Sequence, residues 1–381
     1  MADIVVVGAG TMGAGIAESA ALAGMTAVML DVREDALDRG RQTIERDLDR
    51  RVKKGRISED KRREILERVS TTTSVEDCAE AALVVEAVVE SMDVKRKVFA
   101  DLEGVVGNDA VLATNTSSLS VAGIAAATQS PERVVGMHFF NPVPAMKLVE
   151  VVTGPSTDPE VVRRAEETSE RLGKTPVRVS DTPGFIVNRV ARPFYLEALR
   201  IVEAGGEPAA VDAAIRGAGF RMGPLELADL IGHDINLAVS ESLFERYYYQ
   251  PRFRPSHLQR SLVEAGTLGR KTGRGFYDYG AQEGEAAGET TEPSEDAALR
   301  VISCIVNEAF LALSEGVATA EDIDQAMKLG ANYPKGPFEW AEEIGASTIL
   351  ETLDSLRTTH GDAYLASPLL RRRALDRPTS Y

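Results

Sequence analysis

The stretch IVVVGAGTMG, residues 4–13, determines how the first half of the chain folds. Its β-branched run at residues 4–7 is typical of a buried parallel strand, and a glycine ends it. Gly8, Gly10 and Gly13 then form a G-x-G-x-x-G motif that leads into a helix. Between a strand and a helix, this motif brings the helix N-terminus against the pyrophosphate of a dinucleotide.

An acidic residue supports the same interpretation. Asp31 ends a second strand-like run at residues 27–30. A carboxylate at this point binds ribose hydroxyls and repels a 2′-phosphate, so the pattern predicts NAD rather than NADP. Two alternatives stay open, namely a glycine-rich turn without a ligand and FAD bound to the same fold.

Strand-like and helical stretches alternate as far as residue 184, which predicts an α/β fold with a doubly wound, Rossmann-like sheet. After Pro183-Gly184 the pattern is almost entirely helical, and a stretch rich in Gly, Ala and Glu interrupts it. The predicted fold is therefore a Rossmann-like NAD-binding domain followed by two tandem all-α domains. The expected boundaries are 1–184 for the NAD-binding domain, 185–280 for the first helical domain, 281–296 for an acidic linker and 297–381 for the second helical domain.

The second helical segment repeats the first. RMGPLE at residues 221–226 matches PKGPFE at 334–339, and Gly232 matches Gly345. Further matches upstream keep an offset of 111 to 113 residues. A nearly constant offset favours duplication of one helical domain.

Composition excludes several classes of function. The chain has 381 residues and a formal net charge of −16, so it repels nucleic acid and anionic membrane surfaces. No apolar run reaches the roughly 20 residues that span a bilayer, and no basic segment precedes the first apolar run. The two cysteines, Cys78 and Cys304, form no CxxC pair, which fits a reducing, cytoplasmic location and no metal centre.

A histidine and several polar residues follow the predicted strands. His138 ends an apolar strand and Glu150 lies twelve residues further on, a combination suited to proton abstraction from an alcohol. A histidine in an apolar strand is also a common core residue. Ser117, in the NTSS segment after the preceding strand, suits either a substrate oxygen or a helix N-cap. Asn188 follows the domain junction and is expected to face the sheet edge.

The densest basic run in this acidic chain is RRVKKGR, residues 50–56. It lies between two helical stretches. The run is either a solvated turn or a binding site for a polyanionic part of the substrate.

Taken together, these residues resemble the L-3-hydroxyacyl-CoA dehydrogenases of the short-chain, 3-hydroxybutyryl-CoA type. The resemblance covers residues 3–279 and rests on six motifs in order: GAGTMGAGIA, VVEAVVE, NTSSL, HFFNPVPAMKLVEVV, DTPGFIVNR and GRKTGRGFYDY. It implies oxidation of an (S)-3-hydroxyacyl-CoA by NAD, with His138 as general base and Glu150 as its orienting partner. It also implies that Ser117 and Asn188 hold the substrate oxygen and that Lys54 contacts coenzyme A. The NAD-binding residues that it implies are Gly8, Gly10, Thr11, Met12, Gly13, Asp31, Glu90, Lys95, Asn141 and Lys271. Asp47 stands where the resemblance places a serine near coenzyme A.

Two other functions stay open at this point. The same fold can oxidise a free hydroxy acid or sugar acid, although the basic run argues against substrates that lack a coenzyme A moiety. A structural NAD-binding protein without activity is the other alternative. Residues 297–381 contain no second glycine motif and no second His–Glu pair. We therefore expect the second copy to pack on residues 185–280, which makes the protein either a monomer with an internal pseudo-dimer or a homodimer.

Overall fold

A computed structural model describes residues 2–280, 294 and 296–375. The chain divides into two compact units, Met1–Phe185 and Ile186–Tyr381. Most of the predicted linker at 281–296 lies outside the described residues. The boundaries proposed between the two helical segments therefore stay a prediction.

The first unit is built on one eight-stranded sheet. Its strands are β1 (Ile4–Val7), β2 (Ala27–Leu30), β3 (Val69–Thr72), β4 (Leu83–Glu86), β5 (Val111–Thr114), β6 (Val134–Phe139), β7 (Leu148–Thr153) and β8 (Thr175–Ser180). They are arranged in the order β3-β2-β1-β4-β5-β6-β7-β8. The chain order reverses at β1, which confirms the predicted doubly wound architecture and places the ligand crevice there.

Helices cover the sheet. They are α1 (Thr11–Leu22), α2 (Glu34–Lys53), α3 (Glu59–Glu67), α4 (Met92–Glu103), α5 (Val121–Ala125) and α6 (Pro159–Arg171). The charged segment after β2 forms α2 and α3, and the chain turns between them at Gly55, where φ is +66°. Leu37, Ile44 and Leu48 on one face of α2 are buried in the core with α1. The charged face of α2 is thereby left toward solvent.

One pair of strands departs from the parallel pattern. β6 and β7 are antiparallel, and their register places His138 directly opposite Glu150. Side chains that are directly opposite in an antiparallel pair project from the same face of the sheet. The strand direction thus determines that these two side chains can meet.

The second unit is helical. Its helices are α7 (Val187–Val190), α8 (Arg192–Glu203), α9 (Pro208–Gly217), α10 (Pro224–Ile231), α11 (His233–Arg246), α12 (His257–Glu264), α13 (Ala297–Ser314), α14 (Ala320–Gly330), α15 (Pro337–Ile344), α16 (Ala346–His360) and α17 (Pro368–Leu375). The bounds of α10 and α15 differ by 113 residues at both ends, and those of α12 and α17 by 111. The duplication expected from the sequence is therefore present in the order and spacing of the helices.

A buried carboxylate begins the same helix in each copy. Asp212 accepts hydrogen bonds from two backbone N–H groups in the first turn of α10, at 3.0 and 2.9 Å. Asp324 does the same for α15, at 2.8 and 3.3 Å. A Cβ atom at Gly223 or Gly336 would lie only 2.2 or 2.1 Å from the carboxyl carbon of the respective aspartate. The repeated Gly-Pro therefore reflects space that the aspartate occupies.

The two helical copies pack against each other through reciprocal ion pairs. Arg189 Nε lies 2.6 Å from Glu308 Oε1, and both side chains are buried. Arg300, 111 residues after Arg189, pairs with Glu197, which precedes Glu308 by the same interval. Such exchange of equivalent partners is the pattern of an isologous dimer interface.

One helix of the described part of the chain, α13, is long and apolar enough to cross a membrane. Its mean hydropathy is 1.6, and 67% of it is buried inside the protein. It packs against α8, α15 and α16. Burial of this kind is typical of the core helix of a helical domain.

Candidate active site

The glycine motif forms one wall of a large cleft. Gly8 has φ +103°, and a Cβ atom there would lie 2.6 Å from the Ala87 carbonyl oxygen. A Cβ atom at Gly13 would lie 1.8 Å from the carbonyl oxygen of Gly8. Gly10, which precedes α1, has open space around its Cβ position. This backbone leaves the N-terminus of α1 open to an anionic ligand, as a dinucleotide pyrophosphate requires.

Asp31 joins the second strand to the glycine motif. Its Oδ2 accepts a hydrogen bond from the Ala9 N–H at 3.0 Å, and its Oδ1 accepts one from the Arg33 N–H at 3.1 Å. The cleft that they border has a volume of about 1400 Å³ and also includes Thr11 and Met12. The carboxylate is thus fixed beside the ribose position predicted for the cofactor.

Exposed apolar side chains line the same cleft. Val32 is 90% exposed and Val89 is 68% exposed, although both are fully apolar. Exposed valines in a cleft provide flat apolar contacts for the rings of a nucleotide. The shape of the glycine motif, the position of Asp31 and these valines therefore fit NAD.

His138 and Glu150 form a buried pair at the end of β6. His138 Nδ1 lies 2.6 Å from Glu150 Oε2, and the Glu150 side chain is fully buried. The ring of Phe140 lies 4.5 Å from the imidazole and that of Phe185 lies 5.7 Å away, measured between centroids. The imidazole is therefore oriented by one carboxylate and held between two aromatic rings.

An amide from the neighbouring strand fixes the end of β6. Asn115 Oδ1 accepts a hydrogen bond from the Phe139 N–H at 2.8 Å. Asn115 follows β5, which runs parallel to β6 and beside it. This bond brings the NTSS segment, with Ser117, to the sheet edge that carries His138. The sequence quoted this asparagine without giving it a function.

Glu90 organises the NTSS segment. Its Oε1 accepts hydrogen bonds from the hydroxyl of Thr116 at 2.7 Å and from the Ser117 N–H at 3.0 Å. The Ser117 hydroxyl lies 3.3 Å from the same oxygen. Burial raises the pKa of Glu90, but the hydrogen bond from Thr116 and the charge of Lys95 outweigh it, so the pKa lies below its ordinary value. Glu90 is therefore a carboxylate that holds the backbone around Ser117.

Lys95 lies between two carboxylates. Its Nζ lies 2.7 Å from Glu86 Oε1 and 3.3 Å from Glu90 Oε2, and its side chain is 1% exposed. Glu86 also accepts a hydrogen bond from the Thr114 hydroxyl at 2.7 Å. In this arrangement Lys95 holds Glu86 and Glu90, whereas its predicted contact with the cofactor stays a prediction. Sequence reasoning missed Glu86, although an acidic residue at the end of an apolar strand is a usable signal.

The basic run lines a second cleft, of about 360 Å³. Lys54 and Arg56 lie on its wall, and residues 141–145, which include Asn141, lie there as well. Thr11 lines this cleft and the large one. The predicted coenzyme A contact at Lys54 and the predicted cofactor contact at Asn141 therefore share one cleft.

The remaining predicted site residues belong to the second unit. Asn188 lies in α7, and the corresponding position of the second copy, 111 residues later, is Leu299. Lys271 pairs with Asp234. The buried Asp229 accepts hydrogen bonds from the N–H groups of Phe276 and Tyr277, which secures the segment that follows Lys271. The predicted parts of Asn188 and Lys271 in catalysis and cofactor binding stay predictions.

Comparison with known proteins agrees with both units. Residues 3–182 match the 3-hydroxyacyl-CoA dehydrogenase NAD binding domain, and residues 184–279 and 297–378 match the 3-hydroxyacyl-CoA dehydrogenase C-terminal domain. The 3-hydroxyadipyl-CoA dehydrogenase of Escherichia coli is 39% identical, with 98% of this chain and 97% of that protein covered. The 3-hydroxybutyryl-CoA dehydrogenase of Mycobacterium tuberculosis is 45% identical over 72% of this chain and 97% of its own length.

A solved structure agrees along the whole chain. The crystal structure of a 3-hydroxybutyryl-CoA dehydrogenase from Escherichia coli has a TM-score of 0.93 and 38% identity, with 98% of both chains covered. The two domain matches, the full-length relative and this structure agree with the dinucleotide cleft described above. The chain therefore belongs to the 3-hydroxyacyl-CoA dehydrogenase family and is an NAD-dependent oxidoreductase of that family.

Proposed function

We propose that the protein oxidises a short-chain (S)-3-hydroxyacyl-CoA, 3-hydroxybutyryl-CoA, to the 3-oxoacyl-CoA, with His138 as the general base. The observation that carries this proposal is the 2.6 Å contact between His138 Nδ1 and Glu150 Oε2 at the end of β6. A histidine oriented by a buried carboxylate is suited to removing the proton of an alcohol.

Glu150 determines which imidazole nitrogen reacts. The carboxylate accepts the Nδ1 proton, so Nε2 becomes the nitrogen that takes the proton of the 3-hydroxyl group. The negative charge of Glu150 then stabilises the imidazolium that forms. General base catalysis of this kind contributes about 10²- to 10⁴-fold to the rate.

Other residues hold the reactants. Ser117 and Asn188 hold the substrate oxygen, as the resemblance implies. Gly8, Gly10, Gly13 and Asp31 hold the cofactor, and Thr11, Met12, Glu90, Lys95, Asn141 and Lys271 complete its surroundings. The chemistry that bound NAD supplies is acceptance of a hydride from C3 of the substrate.

The coenzyme A moiety occupies the second cleft. Lys54 and Arg56 line this cleft opposite residues 141–145, which follow the strand that carries His138. Basic side chains beside the active histidine suit an anionic handle attached to a small reacting group.

A single assay tests the reaction. NADH oxidation at 340 nm with acetoacetyl-CoA should be fast, whereas free acetoacetate and a sugar-acid substrate should give little turnover. Equal rates with acetoacetyl-CoA and acetoacetate would contradict the coenzyme A site. They would favour the alternative, a dehydrogenase of a free hydroxy acid or sugar acid.

A dicarboxylic substrate is the second candidate. The relative that matches along the entire chain is named for 3-hydroxyadipyl-CoA. Measurement of kcat/KM for acetoacetyl-CoA, 3-oxohexanoyl-CoA and 3-oxoadipyl-CoA separates the two. A preference for 3-oxoadipyl-CoA over the uncharged acyl group of the same length would replace 3-hydroxybutyryl-CoA as the substrate.

We also propose that the second helical copy takes the place of a partner subunit, so that the protein is a monomer with an internal pseudo-dimer. The reciprocal pairs Arg189–Glu308 and Arg300–Glu197 support this proposal. Sedimentation of the full chain should give a monomer, and deletion of residues 297–381 should produce dimers or aggregates. A stable, fully active truncated monomer would contradict it.

A further inference from the structure

Glu18 is a buried acid that the proposed reaction does not use. It lies on α1, its side chain is 4% exposed, and it lines the second cleft together with Lys54 and residues 141–145. Its Oε1 atom has no hydrogen-bond partner, because the nearest charged group, Arg51 Nε, is 3.6 Å away. A buried oxygen without a partner in a cleft wall indicates a ligand that supplies the missing hydrogen bond.

Asp47 determines the charge of Glu18. Asp47 accepts hydrogen bonds from Arg51 Nε at 2.7 Å and from Arg50 at 3.0 Å, and a proton of Glu18 bridges the two carboxyl groups. Burial raises the pKa of Glu18 to about 9, and Asp47 raises it further against the opposing charges of Arg51 and Arg50. Burial also raises the pKa of Asp47, but the bonds from Glu18 and Arg51 hold it below its ordinary value. At neutral pH the shared proton therefore resides on Glu18.

The direction of this bond defines the free oxygen. Glu18 donates its proton to Asp47, so its other oxygen has the character of a carbonyl acceptor. Oε1 is the atom without a partner. A ligand group that matches it must be a donor without charge, such as an amide N–H.

Lys174 also faces this cluster. Its Nζ donates hydrogen bonds to the Val143 carbonyl oxygen at 2.5 Å and the Met146 carbonyl oxygen at 2.8 Å. Burial lowers the pKa of Lys174 to about 8, Arg51 lowers it further, and Glu18 opposes both. The wall of the cleft therefore contains two groups that titrate in the alkaline range, which an experiment has to separate.

We propose that Glu18 is a recognition residue for acyl-CoA, whose uncharged carboxyl group accepts a hydrogen bond from an amide N–H of the pantetheine arm. This inference rests on the proposed coenzyme A site. The arm joins the phosphates to the thioester, and its amides are its polar groups. The cleft has the basic side chains on one wall and residues 141–145 on another, so an arm that joins the two regions passes Glu18. An ionised Glu18 would instead repel both Asp47 and the phosphates.

Binding of acetyl-CoA, measured by calorimetry between pH 7 and pH 10, tests the inference. Glu18→Gln keeps a donor for Asp47 and an acceptor for the ligand, so its Kd at pH 7.5 should stay within about twofold of the wild-type value. Glu18→Met keeps the length but removes both groups, and its Kd should rise about tenfold, the equivalent of one hydrogen bond. A Met variant that binds like the wild-type protein would overturn the inference.

The pH profile supplies the second readout. Between pH 8.5 and pH 10 the wild-type Kd should rise at least fivefold more than the Kd of Glu18→Gln, because only the wild-type protein gains a charge at residue 18. The change near pH 8 that Lys174 causes should be present in both. Parallel profiles above pH 8.5 would overturn the inference. Circular dichroism checks that each variant is folded.

Lys54→Ala separates this inference from the proposed coenzyme A site. If Lys54→Ala weakens acetyl-CoA binding and the Glu18 variants behave as the wild-type protein does, only the role of Glu18 fails. If Lys54→Ala leaves binding unchanged, the coenzyme A site itself fails and the inference fails with it.

Discussion

His138 and Glu150 lie directly opposite each other on antiparallel strands, and twelve residues of sequence separate the two members of a 2.6 Å contact. Both side chains belong to regular strands of a buried sheet. The geometry of the pair therefore depends on backbone hydrogen bonds and not on a mobile loop. This rigidity is what a general base needs in order to meet a substrate proton in one fixed position.

Removal of the imidazole tests its role as the base. We expect His138→Ala to lower kcat at least 100-fold with little change in the Kd for NADH, because the dinucleotide cleft is formed by other residues. Glu150→Gln should lower kcat by a smaller factor, since it removes the charge and keeps the shape. His360→Ala, a change at an exposed histidine, is the matched control. Near-normal turnover in His138→Ala would remove the assignment.

Cofactor choice depends on one carboxylate. The wild-type enzyme should prefer NADH to NADPH by at least 100-fold in kcat/KM, because Asp31 is held beside the ribose position by two backbone N–H groups. Asp31→Ser should lower kcat/KM for NADH about tenfold, the size of a hydrogen bond to a charged group, and improve the use of NADPH. Asp38→Ser, an exposed position on α2, is the control. An unchanged preference in Asp31→Ser would show that another group selects the cofactor.

The interface between the helical copies contains a matched pair of acids on Arg189. Glu308→Ala leaves a fully buried guanidinium without its partner, and it should lower the free energy of unfolding by about 3–5 kcal/mol. Glu315 pairs with the same arginine at 2.7 Å, but its side chain is 43% exposed, so Glu315→Ala should cost about 1 kcal/mol or less. Urea unfolding combined with hydrogen exchange of the α13 amides measures both. Equal effects would mean that Arg189 is not as dry as its position indicates.

Glu18 should make stability fall as the pH rises. Its ordinary pKa is 4.5 and its folded value is about 9, so the folded state keeps a proton that the unfolded state has lost between these two values. The stability that the group contributes is complete below pH 4.5 and is lost progressively up to pH 9. Glu18→Gln removes this loss and should stabilise the first unit by about 1–3 kcal/mol at pH 8.

The same variant should be nearly neutral at pH 4, where Glu18 is protonated in both states. Hydrogen exchange of the β1 amides at the two pH values follows the first unit separately. Glu34→Gln, at an exposed position on α2, provides the control. Equal stabilisation at pH 4 and pH 8 would contradict a titrating Glu18.

The sequence predicted the parts of the molecule whose signals are local. The run at residues 4–7, the glycines and Asp31 lie within one strand–turn–helix–strand unit, so short-range rules were sufficient. The apolar run of β7 predicted a strand but not its direction, because a buried strand reads the same in parallel and antiparallel sheets. Sequence also left β3 within a stretch interpreted as helical up to residue 69.

Buried polar groups were the harder part of the site. Lys95 is separated by only five residues from Glu90, yet its position between Glu86 and Glu90 requires the register of β4 against α4. Glu18 lies in a helix of small apolar residues, and its partner Asp47 is on another helix. Nothing local distinguishes such an acid from one on a solvated surface. Its significance depends on the packing of α1 against α2.

The reciprocal ion pairs of the helical unit have an evolutionary consequence. In a symmetric homodimer, one codon change alters both halves of the interface at once, so a substitution that suits one site must also suit the other. Here Arg189 and Arg300 are encoded separately, and each can vary while the other preserves the packing. The same separation has already allowed one copy to keep Asn188 while the other has Leu299 at the corresponding position. Duplication within one chain thus lets one half specialise in chemistry while the other retains only the demands of packing.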